Sequence, residues 1–291
     1  MTGALGCIGA WTVATLAQED VAVTAFDLGD DDRRLCLIAT PKELKRVTFV
    51  CGDLTDLDAV ERALAAHEIT HVVHLAALQV PFCKADPVLG AQVNVTGTVN
   101  VFEAVKRRGL GTTIAYASSA AVYDQHGDVA PRTLYGVYKV ANEGTARVYA
   151  DDDGVASVGL RPFIVYGPGR DQGLTAGPTL AMQAAARGEP YRIAFGGRTQ
   201  FHYAPDVARA FVQAARSEQA GAHTFNLGGP ATAITELIAA IEAEVPGAEI
   251  SFDDAPLPFA DELPKPWFDS PLTPLDQGVR ETVEAFRRSV V

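Results

Sequence analysis

Thr2-Gly3-Ala4-Leu5-Gly6-Cys7-Ile8-Gly9 places three glycines at three-residue spacing near the start of the chain. Such a loop lets the backbone turn tightly between a strand and a helix and approach a pyrophosphate. The helix N-terminus then supplies N–H groups and the positive end of its dipole. Working outward, residues 8–18 read as that helix and residues 21–26 as the next strand, which ends in Asp27, eighteen residues past Gly9. An acid at this distance is placed to accept hydrogen bonds from a ribose diol and would repel a 2′-phosphate, which favours NAD over NADP. Arg33 and Arg34, a few residues on, read as a solvated loop.

The same alternation continues. Residues 47–51, 71–75, 112–117 and 156–160 are short, apolar and strand-like, and residues 57–67, 88–108 and 134–150 between them are helical. Short apolar strands separated by amphipathic helices imply a doubly wound parallel sheet covered on both faces, an α/β fold. Past Arg161 the texture changes to a Pro- and Gly-punctuated stretch, and residues 246–274 are rich in proline. We therefore divide the chain into a dinucleotide-binding domain at 1–161 and a segment at 162–291 that is mainly a small substrate lobe, with late elements returning to the first domain. Only Met1 and Thr2 precede Gly3, so the first, central strand reads as truncated. The expectation is a slot in the sheet, with the natural polypeptide starting upstream or something else filling the gap.

Composition narrows the partners. A net charge of −12 over 291 residues disfavours nucleic acid or an anionic membrane as the main partner. The apolar stretches are too short and interrupted to span a bilayer. Cys7, Cys36, Cys51 and Cys83 show neither paired nor metal spacing. They are expected to be reduced thiols in a cytoplasmic protein without a metal site.

Tyr135-Gly136-Val137-Tyr138-Lys139 sets a phenol and an ammonium four residues apart, on one helix face. A neighbouring cation favours phenolate, so Lys139 is expected to pull the Tyr135 pKa down from about 10. The hydroxyls of Ser118 and Ser119, at a strand end just upstream, can bind the same substrate oxygen. Proton transfer to and from a secondary alcohol needs this set of groups.

Together these stretches resemble the extended short-chain dehydrogenase/reductases, the NAD-dependent epimerase/dehydratase family. The resemblance runs from Thr2 to about Arg216 and rests on the glycine loop, Gly52-Asp53-Leu54, His74-Leu75-Ala76-Ala77 and Asn94-Val95-Thr96-Gly97-Thr98. It continues through Ser118-Ser119, Val122-Tyr123, Tyr135 with Lys139, and Arg161-Pro162-Phe163-Ile164-Val165-Tyr166-Gly167-Pro168-Gly169. It implies a Rossmann domain that binds NAD through Gly3, Gly6, Cys7, Ile8, Gly9 and Asp27. Asp53 and Leu54 would flank the adenine, Ala76 and Ala77 would run along the cofactor, and Pro162 would border the nicotinamide. Asn94, Ala117 and Val165 would complete that set. Tyr135 would be the acid–base, Lys139 would hold the ribose and tune Tyr135, and Ser119 would bind the substrate oxygen. The resemblance also implies a homodimer, paired through helices 88–108 and 134–150.

Departures from the family pattern narrow the chemistry. Ala120 and Ala121 stand where sugar dehydratases carry Asp-Glu, so no acid is available to protonate a leaving hydroxyl. Thr199 stands where nucleotide-sugar enzymes often place a diphosphate-gripping Arg, which weakens a nucleotide-sugar substrate. Gln79, Ser118, Ser119, Arg170 and Thr175 are the candidate substrate contacts, with His202 a further polar candidate. The reading is an NAD-dependent oxidoreductase or epimerase acting on a secondary alcohol of a sugar-like small molecule in carbohydrate metabolism. A nucleotide-sugar 4-epimerase is the first alternative, and a non-catalytic NAD-sensing protein is the second.

Overall fold

The computed structural model describes residues 1–289. Five parallel strands lie side by side in the order Trp267–Phe268, Ala222–Leu227, Ser157–Arg161, Ile114–Ala117 and Val72–His74. A parallel pair, Val23–Asp27 with Val47–Cys51, extends the sheet. The junction is Thr2, which bridges His74 on one side and Phe26 on the other, both in parallel. Its N–H donates to the Val73 carbonyl at 3.0 Å and its carbonyl accepts from Leu75 at 3.1 Å, while Met1 O accepts from Phe26 at 2.8 Å. Met1 and Thr2 thus fill the C-terminal end of the central position. The chain winds outward from Thr2 through the two strands on one side, then returns to Val72–His74 on the other. That reversal is the switch point at which such sheets form their binding crevice.

Alternation along the strands explains the layers. Val72, Ile114 and Tyr116 face one side and pack with Val60, Phe102 and Ala146 of helices Leu57–Ala66, Gly97–Arg108 and Leu134–Asp153. Val73, Ala115, Val158 and Leu160 face the other and meet Val207 and Phe211 of helix Ala204–Ala215, beside Ile8 and Trp11 of Cys7–Gln18. The late elements have a core of their own, built from Ile164, Met182, Ile193, Leu237, Ile241, Val279 and Phe286. The expected helix over 88–108 is present and continuous, running as Pro87–Ala91, a π-helical turn Gln92–Thr96, and Gly97–Arg108. Within the proline-rich stretch 246–274, Ile250–Phe252 and Trp267–Phe268 form strands.

Two buried histidines stabilise the fold only while neutral. His74 Nδ1 lies 2.7 Å from Thr2 Oγ1, and its Nε2 lies 3.0 Å from Thr98 Oγ1. Because Thr98 Oγ1 donates to the Asn94 carbonyl, it accepts from His74 Nε2–H, and Nδ1 accepts from Thr2. Burial, helped by the Lys139 charge, pushes the His74 pKa down to about 3, and burial holds His202 near 4. Both groups are protonated in the unfolded chain below about 6.5 but stay neutral in the fold. The histidine contribution to stability is therefore full above that pH and falls as pH drops, by about 1.4 kcal/mol per pH unit for each histidine. Replacing His74 by Gln should lower the slope of urea-unfolding free energy between pH 6.5 and pH 4 by that single-proton amount. An unchanged slope would refute this assignment.

Candidate active site

Two of the three loop glycines, Gly3 and Gly9, leave no room for a side chain. Gly3 takes φ +66°, and a Cβ there would sit 2.5 Å from the Ala76 nitrogen. At Gly9 a Cβ would lie 2.0 Å from the Gly3 carbonyl oxygen. Gly6 begins helix Cys7–Gln18, and no side chain among the described residues caps it, so the N–H groups of the first turn point into the crevice. Asp27 braces the loop, its two carboxylate oxygens accepting from Leu5 N–H and Leu28 N–H, each at 2.9 Å. A cleft of about 400 Å³ brings together Gly3, Gly6, Cys7, Asp27, Asp53, Leu54, Ala76, Ala77, Gln79 and Arg170. Ile8 and Gly9 follow in the first helical turn.

Arg34 departs from the solvated-loop expectation. Its side chain is 14% exposed and donates to Asp171 Oδ1 through Nε at 3.0 Å and Nη2 at 2.8 Å. A third donor, Nη1, reaches the Leu5 carbonyl at 3.2 Å. Arg34 therefore braces the glycine loop against the loop that follows strand Ile164–Tyr166. Arg33 is exposed and pairs with Asp31 at 3.3 Å.

Thr133 caps helix Leu134–Asp153, accepting from Gly136 N–H at 3.1 Å. Lys139 is buried; its Nζ donates to the Ala117 carbonyl at 2.6 Å and lies 5.3 Å from the centre of the Tyr135 ring. Burial lowers its pKa to about 8, against the opposing pull of Cys83 and Glu143. Burial raises the Tyr135 pKa, opposed by a Ser119 hydrogen bond and then by the Arg170 charge. This reverses the expected direction. The ammonium is tethered at a carbonyl and faces the ring rather than lowering the phenol, and in this state desolvation prevails.

The serine pair splits. Ser119 caps the short helix Ala120–Val122, accepting from Ala121 N–H at 3.1 Å, and stays beside Tyr135. Ser118 is 2% exposed and donates to Glu143 Oε1 at 2.5 Å, so it faces the interior instead of a substrate. Asn94, expected against the cofactor, engages the Leu78 main chain with both ends of its amide, at 2.7 and 3.0 Å. Pro162 O accepts from Ala120 N–H at 3.0 Å, and Val165 packs with Ile8, Leu75 and Ala117. Arg170 joins the substrate candidates: Nη1 donates to Gln79 at 3.3 Å and Nη2 to Thr175 at 2.9 Å. Its buried Nε has no hydrogen-bond partner among the described residues. His202 is buried, lines a separate cavity with Gly228, Gly229 and Trp267, and accepts from Phe163 N–H through Nδ1. Ala120, Ala121 and Thr199 are buried and carry uncharged side chains, so none of these positions offers a charge. Among the described residues no cluster of acidic, His or Cys side chains could hold a metal ion, and no helix is long and apolar enough to cross a membrane.

The family described as NAD dependent epimerase/dehydratase matches residues 1–228. The chain belongs to the NAD-dependent epimerase/dehydratase family. It is 30% identical to the UDP-glucose 4-epimerase of Mycolicibacterium smegmatis, over 99% of this chain and 97% of that protein. UDP-glucuronate 4-epimerase 6 of Arabidopsis thaliana is 32% identical over 58% of this chain, and the match spans 39% of that protein's length. The structure of the Thermus thermophilus UDP-glucose 4-epimerase in complex with NAD superposes with a TM-score of 0.78. That pair is 27% identical, covering 98% of this chain and 97% of the other. As a member of this epimerase/dehydratase family, the chain shares the extended short-chain dehydrogenase/reductase architecture.

Keeping Lys139 charged in the interior costs the fold about 3 kcal/mol at pH 7, given a pKa near 8 against an ordinary 10.5. Between those values the native state binds fewer protons than the unfolded one, so stability rises with pH through that window. A K139M protein should therefore be more stable at pH 7 by about 1–2 kcal/mol after loss of the Ala117 hydrogen bond. The advantage should reverse above about pH 10.5, where the charge penalty is gone and the lost hydrogen bond remains. Urea unfolding of both proteins at the two pH values checks this, and equal stability at pH 7 would contradict it.

Proposed function

We propose that the protein is an NAD-dependent oxidoreductase or epimerase that acts on a secondary alcohol of a sugar-like substrate. The observation that carries this reading is the convergence of Tyr135, Ser119 and Lys139, with Arg170, which lines the glycine cleft, close enough to act on Tyr135. The cradle fits NAD: Gly3 and Gly9 leave no room for side chains, the helix at Cys7 is open to a pyrophosphate, and Asp27 suits a ribose diol. Arg34, committed to Leu5 and Asp171, is not free to hold a 2′-phosphate. When bound, NAD accepts and returns the hydride.

In the reaction Tyr135 takes the hydroxyl proton as hydride leaves the same carbon, and Ser119 holds the oxygen. Lys139, with donors remaining beyond Ala117, would bind the nicotinamide ribose and favour the phenolate as it forms. Arg170, near Tyr135 and with one N–H unpaired among the described residues, suits an anionic group such as a carboxylate on the substrate. Tyr135→Phe should lower turnover by at least about 100-fold while NAD affinity stays the same by calorimetry. Retained turnover would overturn the mechanism.

The second reading is a nucleotide-sugar 4-epimerase, supported by the UDP-sugar epimerases among the relatives and opposed by Thr199. A thermal-shift screen separates the two. Stabilisation by uronates or aldonates, lost in R170M, favours the first reading, and stabilisation by UDP favours the second.

We also place the protein in the cytoplasm, in keeping with four free cysteines, and read it as a homodimer. Exposed Val88 and Leu89 on Pro87–Ala91, and Val137 and Val148 on Leu134–Asp153, supply apolar surface for a second copy. Light scattering should give twice the chain mass of 30.8 kDa. A mass equal to one chain would rule the dimer out.

A further inference from the structure

Glu143 follows Lys139 by one helical turn, as Lys139 follows Tyr135, so the three share a face of helix Leu134–Asp153. Its carboxylate is 10% exposed and gripped by a guanidinium that is 13% exposed. Arg161 donates through Nε to Oε1 at 2.6 Å and through Nη2 to Oε2 at 2.5 Å, a two-pronged pair. Ser118 adds a third donor at 2.5 Å. The remaining prong of Arg161 reaches the Tyr123 hydroxyl at 2.5 Å, which meets Asn226 at 3.0 to 3.2 Å.

A buried ion pair is a poor source of stability, because removing two charges from water offsets their attraction, and well-packed apolar groups often do better. Its location therefore calls for another explanation. Each element that it ties carries one part of the site. Strand Ile114–Ala117 runs into Ser118 and Ser119 and offers the Ala117 carbonyl to Lys139. Helix Leu134–Asp153 carries Tyr135 and Lys139. Strand Ser157–Arg161 runs into Pro162, whose carbonyl holds Ala120 just beyond Ser119.

We propose that the Glu143–Arg161 pair is a positioning device for the acid–base site, fixing Ser119 against Tyr135 and setting the charge environment of Lys139. It rests on the reading of Tyr135 and Lys139 as the acid–base couple. The groups acting on Lys139 come from three elements: Cys83 on helix Val80–Ala85, His74 on its strand, and Tyr135 and Glu143 on its own helix. Glu143 and Cys83 both favour the ammonium, and the neutral His74 adds no charge. Arg161 acts through Glu143, which it neutralises.

The test is a lysine titration that needs no substrate. The chain has six lysines, Lys42, Lys45, Lys84, Lys106, Lys139 and Lys265. Their side-chain signals can be followed by 13C NMR in the full-length protein, with and without NAD, and K139R identifies the one of interest. In E143Q the Lys139 midpoint should fall by about one pH unit, because a negative neighbour is lost and Arg161 is left unbalanced. In R161Q it should rise, because Glu143 is left unneutralised. The two signs are opposite, so either variant decides the matter if the other does not fold. A midpoint equal to wild type, even with a large drop in melting temperature, would reduce the pair to a structural tie and overturn the proposal. If the midpoints move as expected but wild-type protein with NAD neither oxidises nor epimerises any polyol, uronate or nucleotide sugar, the functional reading fails and the coupling stands.

Discussion

The whole site depends on how closely two backbones approach at Gly3. The loop leaving the central position of the sheet runs against Leu75–Ala76, the segment leaving the neighbouring strand, at a distance that excludes even a methyl group. This approach aims the first turn of helix Cys7–Gln18 across the crevice and brings Asp27 within reach of Leu5. It also joins the two flanks of the sheet, because Thr2 pairs on both sides immediately before the turn. Binding geometry and sheet continuity therefore share one residue-sized constraint.

Electrostatics is arranged against stability around that constraint. Lys139 is held charged in the interior, its ammonium tethered to the Ala117 carbonyl. His74 keeps its neutral form between two threonine hydroxyls, and Glu143 and Arg161 face each other out of water. The buried charges cost folding energy, His74 does so only where acid would protonate it, and each arrangement keeps a donor or acceptor at a fixed place. The apolar layers on both faces of the sheet offset these costs.

Much of this is legible in the residues, and what is not has physical causes. The glycine spacing, Asp27 and the four-residue step from Tyr135 to Lys139 are local signals, tied to a turn and to one helix face. The inward turn of Ser118 is hidden because two adjacent serines at a strand end point to opposite sides, and the sequence alone does not say which faces the cleft. Asn94 enters the cofactor set by analogy, whereas its amide meets the main chain of Leu78, sixteen positions earlier. The pairing of Arg34 with Asp171 spans 137 positions and no periodicity announces it. The direction of the Tyr135 shift depends on burial and on where Lys139 is tethered, neither of which a spacing encodes.

The π-helical turn at Gln92–Thr96 has a geometric effect that reaches the molecular surface. One extra residue in a helical turn rotates everything beyond it by about 100° relative to an uninterrupted helix. Through that offset, Asn94 addresses Leu78 while Thr98, one turn later, addresses His74. The same offset sets the phase of Pro87–Ala91 against Leu134–Asp153, where the Tyr138 hydroxyl meets the Pro87 carbonyl. The interior wall of the crevice and the outward apolar patch at Val88 and Leu89 are thus geared together. A helix regularised by a single deletion could keep one in place only by swinging the other away.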